Sequence, residues 1–101
     1  MHDCLYFVGF SGNYGGSLYL ENTPITRLPD NFKVGGHLVL RHTPITKLPE
    51  GLKVGGYLDL ENTQITHLPD NLKVEIDVYL KGSGVPKGTK KPKGVKGTLF
   101  W

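Results

Sequence analysis

At 101 residues and a net charge of +3, the chain is sized for one domain with a thin core. It contains no apolar run of about 18 residues suited to a membrane span, and no charged segment leading into an apolar stretch and cleavage site at its start. Its single cysteine, Cys4, excludes an internal disulfide and fits a reducing compartment, so a cytoplasmic location is expected.

The first segment, Met1 to Tyr14, stands outside the pattern that follows it. Leu5, Tyr6, Phe7 and Val8 keep the apolar character of a strand, and the segment reads as a cap over the open N-terminal end of a repeat array. From Gly15 to Val74 one pattern is written three times, as Gly15 to Val34, Gly35 to Val54 and Gly55 to Val74. It reads G-G-x-L-x-L-x-x-T-x-I-T-x-L-P-x-x-[LF]-K-V. A strict period of this length predicts a stacked solenoid, whose coils bury their apolar residues only against one another.

Within each coil, Leu18-Tyr19-Leu20, Leu38-Val39-Leu40 and Leu58-Asp59-Leu60 alternate fixed leucines with a variable residue. That is the period of a half-buried strand, and stacking predicts a short parallel sheet along one wall. Thr23, Thr43 and Thr63 follow, with hydroxyls suited to bonding the backbone of the turn and of the next coil. Ile25, Ile45 and Ile65 point inward. The Leu-Pro pairs ending at Pro29, Pro49 and Pro69 close the second side, since proline and the residue before it favour extended corners. Phe32, Leu52 or Leu72, with Val34, Val54 or Val74, then returns the chain to the next strand, giving six inward apolar positions per coil.

Residues 75–86 form a degenerate fourth unit in which Val78, Leu80, Ser83 and Val85 take the Leu, Leu, Thr and Ile positions and Glu75-Ile76 replaces Gly-Gly. Residues 87–101 are a basic tail with an apolar end. Residues 1–80 carry six Lys or Arg against nine Asp or Glu, whereas residues 81–101 carry six Lys and no acid. A tail of this kind either folds back to seal the last coil or docks on a partner.

The segment Leu48 to Ile65, L-P-x-x-L-x-V-G-G-x-L-x-L-x-x-T-x-I, resembles the short leucine-rich repeats of bacterial effectors, and is similar to Gly-Gly, Thr-bearing variants in bacterial and phage proteins. The resemblance covers about residues 15 to 86. The family usually places Asn where this chain has Thr23, Thr43, Thr63 and Ser83. It implies a mainly β, leucine-rich-repeat-like solenoid of three full coils plus caps, used as a scaffold for binding partners.

Register turns the variable positions into columns. Ser17, His37, Tyr57 and Asp77 form one, Tyr19, Val39, Asp59 and Tyr79 the next, and Glu21, Arg41, Glu61 and Lys81 a third that alternates in sign as a surface ion-pair ladder would. Tyr19, His37, Tyr57, Asp59, Asp77 and Tyr79 on one sheet face have the aromatic and polar make-up of a protein-binding patch, and Arg41 stands beside them to read charge. The alternative is an ordinary solvated strand face.

Catalysis is not expected. His37, Tyr57 and Asp77 line up, but on a flat wall without the shelter that acid and base work needs. There is no phosphate loop, no G-x-S-x-G and no His-x-x-x-His, and His2, Cys4, His37, His42 and His67 lack metal-ligand spacing. No cofactor is implied. The basic columns Arg27, Lys47, His67, Lys87 and Lys33, Lys53, Lys73 run beside Asp30, Glu50 and Asp70, an intermixing that argues against a nucleic-acid footprint there.

The expected function is therefore a protein-binding module, which the resemblance extends to a phage-encoded inhibitor of a host protein, acting through the sheet face and the basic tail with Lys90, Lys91, Lys93 and Trp101. Two alternatives stand beside it. One is nucleic-acid binding through the Lys-rich tail; the other is a structural or self-assembling repeat protein.

Overall fold

Two short strands form in each repeat, one on either side of the Gly-Gly corner, because Lys-Val alternates between solvent and core and Leu-x sets its leucine inward. The computed structural model describes residues 13–101. The segment before them, which holds His2, Cys4 and most of the stretch read as an N-terminal cap, lies outside the described residues. No helix is present among the described residues, and so none is long and apolar enough to cross a membrane.

The first parallel sheet runs in the order β1 (Asn13–Tyr14), β3 (Lys33–Val34), β5 (Lys53–Val54), β7 (Lys73–Val74) and β9 (Gly94–Val95). The second contains β2 (Leu18–Tyr19), β4 (Leu38–Val39), β6 (Leu58–Asp59), β8 (Val78–Tyr79) and β10 (Leu99–Phe100), stacked in the same sense. Leu18 faces Leu38, which faces Leu58, so the register advances by one repeat per rung. The result is a mainly β solenoid of about four turns with roughly twenty-residue spacing.

The repeat pattern predicts one sheet and the structure has two. Lys-Val pairs as regularly as Leu-x, because its valine is buried while its lysine stays in solvent. The third side, through the Leu-Pro corners, forms no strand. Pro24 and Pro44 have no N–H to donate to a neighbouring rung; where Gln64 and Gly84 stand instead, their N–H groups donate to the Ile45 and Ile65 carbonyls at 3.2 and 2.7 Å.

The core holds the six positions per coil that the sequence indicates. Leu18, Leu20, Ile25, Leu28, Phe32 and Val34 are buried, as are their counterparts in the next two coils, and Val78, Leu80, Val85 and Val95 continue the column. The threonines differ in one respect from expectation. Thr23, Thr43 and Thr63 donate to the carbonyls of Leu20, Leu40 and Leu60 at 2.6, 2.7 and 2.8 Å, within their own turns, and none spans to the next coil. The residues between, Asn22, His42 and Asn62, have φ of 60°, 59° and 59°, and that left-handed step turns the chain back on itself.

The Gly-Gly corner is a place of close backbone approach. A side chain on Gly55 would strike the Gly35 carbonyl, and Gly36 and Gly56 donate to the Gly16 and Gly36 carbonyls at 3.0 and 2.9 Å. Where Glu75-Ile76 replaces the pair, the equivalent bond from Ile76 to Gly56 lengthens to 3.3 Å.

The tail closes the array. Gly94-Val95 and Leu99-Phe100 pair in register with Lys73-Val74 and Val78-Tyr79, which makes a fifth rung. Trp101 packs on the core, its indole N–H donating to the Val85 carbonyl at 2.8 Å, and Lys96 pairs with Glu75 at 3.2 Å. Of the two fates open to the tail, folding back on the last coil is the one observed.

Gly55→Ala is expected to lower stability by about 1–3 kcal/mol, because the atom it must displace is backbone. A urea titration checks this. Trp101 is the only tryptophan, so its fluorescence reports the fifth rung while far-ultraviolet circular dichroism reports the whole stack. A coincident shift of both midpoints is the expected result.

Candidate functional site

The outer face of the second sheet carries a continuous strip of aromatic rings. Leu18 and Leu20, with their counterparts, turn inward, so the residues before and between them turn out. His37 stacks on Tyr57 with centroids 3.9 Å apart and planes inclined by 20°. Tyr57 meets Tyr79 edge to face at 5.5 Å, and Tyr79 stacks on Phe100 at 5.5 Å and 14°. The strip thus runs diagonally, beginning in the His37 column and ending in the Tyr79 column. Tyr19, at the near end of the latter column, is 58% exposed, and Phe100 at its far end is 46% exposed.

The backbone fixes this strip. The His37 N–H donates to Ser17 Oγ at 3.0 Å, the Tyr57 N–H to His37 Nδ1 at 3.0 Å, and the Thr98 N–H to Asp77 Oδ1 at 2.9 Å. Accepting at Nδ1 holds the neutral imidazole as its Nε2-protonated tautomer and lays the ring flat on Tyr57.

Two positions in the outward column are nevertheless covered. Val39 and Asp59 are 4% and 2% exposed, so Asp59 does not stand on the displayed surface with the tyrosines. Its Oδ2 accepts Arg41 Nη2 at 2.6 Å and Nε at 3.2 Å, and its Oδ1 accepts the Glu61 N–H at 3.0 Å. A buried carboxylate needs such partners. Arg41 therefore leans sideways to Asp59 and keeps a longer ion pair with Glu61 at 3.8 Å, the one step of the expected third-column ladder that forms among the described residues. The hydrogen bond and charge of Asp59 raise the Arg41 pKa above its ordinary value. Desolvation first, then Tyr19, Asp59 and Tyr79, raise that of the Tyr57 phenol.

The remaining residues singled out from the sequence lie elsewhere. Lys90 and Lys93 are exposed in the connection between β8 and β9, with no register position on the sheet face, and Lys91 donates to the Gly97 carbonyl at 2.7 Å. Trp101 is turned to the core. Among the described residues, no three His, Cys, Asp or Glu gather as metal ligands would.

Phe100 is the member of the strip that the sequence reading omits. Its signal is present: Val95 to Trp101 rewrites V-G-G-x-L-x-L as V-K-G-T-L-F-W, offset from Val74 to Leu80 by one residue more than the repeat. No protein-family model, curated protein or solved structure matches the chain.

The site offers flat aromatic area with a polar edge of Arg41, Glu61 and Asp77. Because the fold disfavours the Tyr57 phenolate, Tyr57 contributes stability that is complete below its unfolded-state pKa and is lost as pH rises through the higher folded value. Ultraviolet titration is expected to show one late tyrosinate component beginning above the ordinary 10.0. Tyr57→Phe should remove that component and flatten the alkaline loss of stability.

Proposed function

We propose that this protein is a binding module for another protein, and that it engages its partner through the aromatic strip. The carrying observation is the row His37, Tyr57, Tyr79 and Phe100, four rings in mutual contact on a rigid sheet. Aromatic side chains supply large contact area with few torsions to freeze, and ordering them in advance lowers the entropic cost of association. The Arg41, Glu61 and Asp77 edge supplies the polar rim that such patches carry.

On this proposal the chain is a leucine-rich-repeat-like module of phage origin that inhibits a host protein by covering its surface. The repeat, with its Leu-x-Leu strand and Leu-Pro corner, supports the kinship. The flat strip, which occludes a surface without enclosing a substrate, supports inhibition over catalysis.

The combination Tyr19→Ser, Tyr79→Ser, Phe100→Ser tests the placement. Affinity capture from host lysate should yield a protein that the wild type retains and the variant loses, with affinity lower by tenfold or more, about 1.4 kcal/mol. A partner held equally by both forms places the interface elsewhere.

A further inference from the structure

The lysines of the first sheet form a second surface. Lys33, Lys53 and Lys73 face one another in register across β3, β5 and β7, so their stems are about 4.8 Å apart. All three are exposed, and among the described residues none makes an ion pair. Like charges directly opposite one another on neighbouring strands are destabilising.

The acidic column that accompanies these lysines in sequence does not accompany them in space. Asp30 and Glu50 line a different groove, with Arg27, Lys47 and His67. The three lysines instead flank an open groove of about 350 Å³ whose floor includes Gly15, Gly35 and Gly55 and whose N-terminal end is lined by Tyr14. Its one acid, Glu75, is paired with Lys96 at 3.2 Å. Gly94, next in the lysine column, leaves room for the Lys73 stem.

We propose that this groove binds a single strand of nucleic acid, with the lysine column following its phosphates. A single line of point charges matches one phosphate backbone, whereas a duplex presents two. Glycines along the groove admit close approach of a chain, and a basic groove that tracks the backbone is how single strands are held without regard to sequence. The site is separate from the aromatic strip and from the tail lysines.

Fluorescence polarisation with a labelled oligothymidylate of about 12 nucleotides tests it. Binding should weaken with salt along a slope of about −2 for three phosphates neutralised. The combination Lys33→Gln, Lys53→Gln, Lys73→Gln should lower affinity at least tenfold and bring that slope close to zero. It relieves repulsion between exposed groups, so an unchanged circular dichroism spectrum is expected, and Lys53→Gln alone should reduce the slope by about 0.7. Lys87→Gln, Lys90→Gln, Lys93→Gln and the aromatic-strip variant should bind as the wild type does. Loss in the tail variant with retention in the groove variant overturns the assignment, as does equal binding of a duplex or tighter binding of polyglutamate.

Discussion

Each side chain of the repeat is held about 4.8 Å from its counterpart in the next rung by parallel backbone ladders, and the rest of the molecule depends on that register. The Leu40 N–H donates to the Asp59 backbone carbonyl and the Leu60 N–H to that of Tyr79, both at 2.8 Å, and the Gly-Gly corner carries the same stacking around the bend. A slip of one residue would turn the buried strand leucines Leu18, Leu38 and Leu58 to solvent. The one change in repeat length accordingly falls where the ladders do not pair. The extra residue that offsets the fifth rung falls between β8 and β9, where Gly82 and Gly88 have φ of 77° and 90° and the chain turns freely.

The same register couples surface to frame. The position before each strand of the second sheet is variable in sequence, yet Ser17, His37 and Asp77 each use a side-chain atom there to accept an N–H from the following rung. A residue at this position is therefore selected twice, for what it displays and for the backbone group it satisfies. His37 shows the consequence. The bond that satisfies the Tyr57 amide also sets the imidazole plane, and the plane sets the stacking that continues through Tyr79 to Phe100.

The frame was legible because it is written in identity. Leu, Ile, Val and Thr recur at fixed spacing, and a period of this kind has few stacked solutions. What escaped the sequence depends on geometry within one rung. The first sheet was hidden because its Lys-Val strands lack the alternating run that Leu-x-Leu shows. Asp59 reads as displayed by position but is buried, since its carboxylate finds Arg41 in the neighbouring column. The fifth rung was obscured by its one-residue offset and by Lys96 and Trp101 standing where the repeat has Gly and Leu.

Stacking identical positions also stacks identical charges, and the chain meets that problem differently in different columns. Glu21, Arg41, Glu61 and Lys81 alternate, which removes like-charge neighbours outright. Asp59 is drawn inward and neutralised by Arg41. Lys33, Lys53 and Lys73 receive neither treatment, and only Val54, Gly55 and Gly56 separate Lys53 from Tyr57. The uncompensated column and the aromatic strip thus lie on adjoining sheets of the same rungs, on either side of the Gly-Gly corner. Because both are fixed by one set of ladders, an occupant of either surface leaves the frame of the other in place, and the two act independently unless one partner spans the corner.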